Sequence, residues 1–90
     1  MIFTASKGQP FREEFTFKNE KGKPVAIPRG DYRLVLERGD YVREGNLKIA
    51  PNAIYWNMTA EETQALAYST LYFTLAFNGQ EIARGVLRVN

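Results

Sequence analysis

An all-β domain, folded as an antiparallel sandwich or small barrel with one helical turn on a crossover, is what this sequence predicts. Three observations predict it. Ile54, Trp56 and Met58 alternate with Tyr55 and Asn57, and Leu71, Phe73, Leu75 and Phe77 repeat the alternation further on. That period of two is the spacing of a half-buried strand. Asn78-Gly79 follows the second run and is the preferred two-residue hairpin turn, because both central positions of a type I′ turn need positive φ. Turn signals also recur about every ten residues, which sets out around seven or eight short strands.

Taken in order, Ile2–Ala5 is expected as a short extra strand before the first long one. Phe11–Phe17 then reads as one strand with Phe11, Glu13, Phe15 and Phe17 on one side. Glu13 interrupts that apolar face, which places this end at an edge or rim. Asn19–Pro24 is polar, contains Gly and Pro, and is a loop. Val25–Ile27 is a brief extended piece closed by Pro28. Proline removes a ladder donor, so this piece is an edge or a connection.

Asp31–Glu37 is a clear strand in which Tyr32, Leu34 and Leu36 share a face. Arg38-Gly39-Asp40 reads as a polar hairpin tip rather than an integrin-binding triplet, since these are ordinary turn residues. Tyr41–Glu44 and Leu47–Ile49 are short extended pieces around Gly45-Asn46, and Ala50–Ala53 is the next turn. Ile54–Met58 follows, with polar residues beside Trp56 that point to one solvated face.

Thr59 with Glu62 three positions on forms a capping box and opens the helical turn, which is expected to run through Ala67. Glu61 and Glu62 lie at the positive end of its dipole. A carboxylate pair acting as acid and base is the competing reading, but no histidine or metal ligand joins them. The hairpin then joins Thr70–Phe77 to Glu81–Val89. Gly85 inside the return strand marks a bulge or a close approach.

Ninety residues make a single domain, 1–90. Apolar residues form 44% and aromatic ones 13% of the chain, enough for a core rich in rings. The expected core is Phe15, Phe17, Tyr32, Leu34, Leu36, Trp56, Leu66, Leu71, Phe73, Leu75 and Leu87. No cysteine or histidine occurs, which excludes disulfides, the usual triads and cysteine–histidine zinc sites. A carboxylate-only site from Asp31, Asp40 or Glu44 would need burial to perturb a pKa, and all three fall in expected turns or their flanks. Neither Lys7-Gly8-Gln9-Pro10 nor Arg29-Gly30 has phosphate-loop spacing. The chain is thus expected to be no enzyme and to need no cofactor or metal. Met1-Ile2-Phe3-Thr4 lacks the basic-then-apolar pattern of a signal peptide, and no apolar run is long enough to span a membrane. A net charge of +2 spread along the chain disfavours nucleic acid as a partner.

Tyr55 and Tyr72 stand opposite the core-facing Trp56 and Phe73 along their strands. They either pair locally across strands or form a contact surface, tyrosine being enriched at interfaces. Tyr55, Tyr72, Arg84 and Arg88 are the candidate partner-contact residues. The same tyrosines flanked by Arg33, Arg84 and Arg88 would serve a small single-strand-binding barrel, the alternative reading. A carbohydrate-binding module for host attachment is a further one. The return strand Ile82–Val89 lacks proline and carries only Arg84 and Arg88 as charges, so it would either pair on both sides or offer an edge to another subunit. A homo-oligomer or a tight partner is expected, with Tyr72 and the C-terminal strand near the contact.

Five segments occur in the order Phe15-Thr16-Phe17, Gly22-Lys23-Pro24-Val25, Gly30-Asp31-Tyr32, Thr59-Ala60-Glu61-Glu62-Thr63 and Gly85-Val86-Leu87-Arg88-Val89. In order and spacing, from about Phe11 to Val89, they resemble small immunoglobulin-like β-sandwich structural proteins of tailed phages and prophages. Ile27-Pro28-Arg29-Gly30 and Ala67-Tyr68-Ser69 depart from that pattern. The resemblance implies an antiparallel immunoglobulin-like β-sandwich with one short helix on a crossover. It also implies a non-enzymatic module of the tail or baseplate region that contacts other virion proteins, first in the host cytoplasm and then in the virion.

Overall fold

The computed structural model describes residues 1–90. Its strands are β1 (Ile2–Ala5), β2 (Phe11–Phe15), β3 (Phe17–Lys18), β4 (Pro24–Val25), β5 (Tyr32–Arg38), β6 (Tyr41–Glu44), β7 (Asn46–Ile49), β8 (Ile54–Met58), β9 (Thr70–Phe77) and β10 (Gln80–Val89), with one helix, α1 (Ala60–Gln64). A five-stranded sheet runs β1-β10-β9-β5-β6, a three-stranded sheet runs β2-β8-β7, and β3-β4 form a small ribbon. The chain is therefore mostly β, as the alternation predicts. Both larger sheets keep free edges, so the small-barrel alternative does not hold.

The inner faces of these two sheets share one core, in which Leu34, Ile54, Trp56, Leu71, Phe73, Leu75 and Leu87 are sealed from solvent. Rings join the layers. Trp56 of β8 lies 4.9 Å from Phe11 of the same sheet and 5.4 Å from Phe73 across the gap, while Phe3 stacks on Phe73 at 5.2 Å. Phe15 meets Phe3 and Phe73 edge-on. Each such pair contributes about 0.5–1.5 kcal/mol beyond its area. The indole Nε1 of Trp56 is buried without a partner, which costs about 1–3 kcal/mol.

The sheet is mixed, where the sequence implied a purely antiparallel fold. β1 pairs with β10 in parallel, Ile2 opposite Val86 and Ala5 opposite Val89. A period of two is the same in both orientations, so alternation carries no information about direction. Gly85 is where β1 comes close, because a Cβ there would meet the Met1 carbonyl at 2.2 Å and the Phe73 ring at 2.8 Å. Close approach explains this glycine. The bulge in β10 lies between Glu81 and Ala83 instead.

Phe11–Phe17 is not one strand. It breaks at Thr16, because β2 pairs with β8 while β3 pairs with β4. Phe17 and Tyr32 are only half-buried, although both were expected in the core; they pack against its rim, 6.2 Å apart, and Tyr32 lies 4.8 Å from Phe77. Phe11, Ile54, Met58 and Val89 join the core in addition. β2 is an edge strand with Glu13 half-buried, as the interrupted apolar face predicts.

The capping box forms as expected, with Thr59 N–H donating to Glu62 Oε1 at 2.8 Å and Glu62 N–H to Thr59 Oγ1 at 3.1 Å. The helix stops at Gln64 instead of Ala67, since Ala65 caps it and Leu66 turns into the core. Thr63 is the one buried polar side chain. Its hydroxyl accepts from Gly8 N–H at 3.1 Å and faces the Gln9 carbonyl at 2.8 Å, pinning α1 to the β1–β2 loop. Asn78 and Gly79 have φ of 49° and 82°, the positive values that the type I′ turn requires.

Trp56→Ala should lower stability by about 3–5 kcal/mol, the usual cost of deleting a large core side chain. Trp56→Phe should cost clearly less, because it also removes the unpartnered N–H; urea unfolding of both variants checks this order. The Tyr32 hydroxyl donates to the Pro28 carbonyl at 2.6 Å, and burial raises its pKa above the ordinary value. The folded state therefore holds this proton more tightly than the unfolded chain. That contribution is complete below the unfolded pKa of about 10 and is lost as pH rises through the folded value. Thermal melts above that pH should show a steeper loss for wild type than for Tyr32→Phe.

Candidate contact surface

Strand register decides which outward-pointing residues meet. On the outer side of the five-stranded sheet, Ile2 lies opposite Val86, Val86 opposite Tyr72, Tyr72 opposite Glu37, and Glu37 opposite Val42. These five positions form one row across all five strands. Ile2, Tyr72 and Val42 are 60%, 52% and 53% exposed, while Val86 is half-buried. Half-buried Val35 adjoins the row, paired with Thr74 and Glu44. Apolar residues aligned in one exposed row, here broken only by Glu37, mark an interaction surface more often than scattered apolar residues do.

Charge divides along this face. Arg84 and Arg88 stand on β10, either side of Val86, and Glu37 and Glu44 stand on β5 and β6. At the hairpin end the polarity reverses, with Glu81 opposite Ala76 on one side and Arg33 opposite it on the other. Arg33 contacts Asp31 at 3.0 Å and Arg84 contacts Glu81 at 3.5 Å. Both pairs are largely exposed, so each contributes little to folding and either can exchange partners.

Three of the four candidate contact residues, Tyr72, Arg84 and Arg88, thus share one face. Tyr55 does not. It projects from the outer side of the three-stranded sheet among Arg12, Glu14, Asn57 and Lys48, and the Arg12 guanidinium lies 4.1 Å above its ring. The two tyrosines therefore make no common stacking platform. β10 is paired with β9 along its length, but on its other side β1 covers only Val86–Val89, so Gln80–Arg84 keep a free edge. The expected edge is closed by β1 over Val86–Val89 and stays open over Gln80–Arg84, and the outer face of the strand is exposed beside it.

Asp31 and Asp40 fall at opposite ends of β5 and Glu44 at the end of β6, so these carboxylates are not brought together. No group of three or more carboxylates is placed to hold a metal ion. A cleft of ≈ 220 Å³ opens between β6 and α1, lined by Arg43, Glu44, Glu62 and Trp56 among others. The indole N–H at its base has almost no accessible surface, and the Arg43 guanidinium donates to the Val42 carbonyl and covers Tyr41. No helix is long and apolar enough to cross a membrane.

The strip could not be found from the sequence. Alternation sets Tyr72 opposite the core-facing Phe73, but Ile2, Val42, Tyr72 and Val86 belong to four strands, and only register aligns them. In comparisons with known proteins, the chain matches no protein-family model and no curated protein.

Folding places no demand on the exposed ring of Tyr72. Tyr72→Thr, which puts another residue of high strand propensity in its place, should leave stability within about 0.5–1 kcal/mol of wild type in urea. A larger loss would mean that the ring is part of the fold.

Proposed function

We propose that this protein is a non-enzymatic assembly module of a phage or prophage particle, associated with the tail or baseplate. It is built as an immunoglobulin-like sandwich and acts through protein–protein contacts on the outer face of the five-stranded sheet. The observation that carries the contact role is the exposed row Ile2–Val86–Tyr72–Val42 with Glu37 inside it. A monomer gains nothing from leaving such a strip in water, whereas an assembly buries it.

Strand order supports the finer fold reading. Taking β2 as strand B, the runs β10-β9-β5-β6 and β2-β8-β7 follow the G-F-C-C′ and B-E-D orders of a variable-type immunoglobulin sandwich. Two features depart from that type. β1 lies against β10 instead of β2, and the buried tryptophan sits on the E-equivalent strand instead of the C-equivalent one. Support for the particle comes from the motif order between Phe11 and Val89. The protein would gather with its partners in the host cytoplasm and then stay in the virion.

Particles purified on a density gradient from the source strain should contain this chain in fixed ratio to the other structural proteins by mass spectrometry. Tyr72→Arg should fold normally, by circular dichroism and melting, yet be lost from the particles. Absence of the wild-type chain from every particle fraction would overturn the reading.

A further inference from the structure

We infer that the outer face of the five-stranded sheet pairs with a second copy of this chain, across a two-fold axis lying between the two sheets and along β9. This rests on the reading of that face as a contact surface and names its partner. Tyr72 stands on β9, the middle strand of the five, and the exposed apolar residues Ile2 and Val42 stand on the two edge strands. Rotation about β9 lays Tyr72 on its own copy and Ile2 over the Val42 of the other chain. The strip is complementary to itself, as a two-fold contact requires.

The charges select this axis. In the same rotation Val86 faces Glu37 of the second copy. Arg84 and Arg88, two residues to either side of Val86 on the same face, then bracket that carboxylate. Glu37 is the single charge inside the apolar strip, and covering it without a counter-charge would be costly. At the hairpin end Glu81 comes over Arg33 of the second copy, so the reversed polarity there is satisfied as well. The other two-fold in the interface plane, perpendicular to the strands, sets β10 against β10. It places Arg84 against Arg88 and Glu37 against Glu37, and like charges in contact suppress that arrangement.

Five strands at a spacing of about 4.8 Å give a face roughly 20 Å wide, so the contact is at the small end of specific interfaces. Self-association should be concentration-dependent through the micromolar range.

Sedimentation equilibrium on the full chain tests this with two charge-inverted variants. One carries Arg84→Glu with Arg88→Glu, the other Glu37→Lys with Glu44→Lys. All four side chains are exposed, and unchanged circular dichroism and melting would confirm folding. Wild type should form dimers, each variant alone should be monomeric, and an equimolar mixture should recover a one-to-one heterodimer, since every contact then joins opposite charges. Tyr72→Arg provides a second disruption that leaves those four charges in place. A wild type that stays strictly monomeric overturns the pairing, as do variants that dimerise alone or a mixture that stays monomeric. If that monomer is still incorporated into particles through Tyr72, the face binds a different chain; the pairing fails and the assembly role stands. A solution dimer absent from particles gives the opposite outcome.

Discussion

The contact of five rings, Phe3, Phe11, Phe15, Trp56 and Phe73, is what the rest of this structure depends on. Backbone ladders satisfy each sheet internally and do nothing to hold one sheet to the other. Apolar burial between the layers must do that, and in so short a chain only a few side chains are large enough. Trp56 sits where the rings of β1, β2 and β9 converge. Its Nε1 is unpartnered, and a Cβ at Gly45, where the chain passes from one sheet to the other, would meet that nitrogen at 3.0 Å. The indole gives more apolar contact than the lost hydrogen bond costs. The chain crosses between the two sheets four times: β1 to β2, β2 through the β3-β4 ribbon to β5, β6 to β7, and β8 through α1 to β9. Two of them, β1 to β2 and β8 to β9, link strands that both carry rings of the cluster.

What was legible in the sequence was whatever local physics decides. The Thr59–Glu62 capping box and the Asn78-Gly79 turn depend on residues within four positions of each other, and both form as read. Alternation correctly assigned the inner faces of β5, β8 and β9. It failed where a long-range partner intervenes. Thr16 breaks an apparently continuous strand because its two halves find different mates. Helix α1 stops short of Ala67 because the core takes Leu66. Thr63 follows the capping box without belonging to it, and its hydroxyl bonds with Gly8 and Gln9, more than fifty positions away. Nothing in the local spacing of that threonine reports such a bond.

The candidate surface was half legible for the same reason. A period of two identifies outward residues but leaves open which sheet they leave, and so Tyr55 and Tyr72 looked alike. Register separates them. One lies under an arginine in a polar face, and the other lies in the middle of an apolar strip. The C-terminal strand shows a related ambiguity. Its lack of proline and its few charges fit either a central strand or an exposed edge. The N-terminal segment resolves half of this by adding itself in parallel along Val86–Val89, and leaves Gln80–Arg84 as an edge.

Folding accounts for the inner faces and for most of the edges. β2 and β6 carry arginine and glutamate, β7 carries lysine, and such charges blunt an edge against unintended pairing. β1 has no charge, but it is only four residues long. The outer faces are under neither constraint, so their composition is free to differ, and it does. The outer side of the three-stranded sheet is almost wholly polar, which is the least costly surface for a sheet in water. The five-stranded sheet has the same exposure to solvent and the same access to polar residues at positions such as Thr70 and Thr74, yet sets Ile2, Val86, Tyr72 and Val42 in one row. Neither the core nor the hydrogen-bond ladders require those side chains. The strip is thus a departure from the cheaper composition that folding leaves unaccounted for, and the proposed contact role rests on that departure.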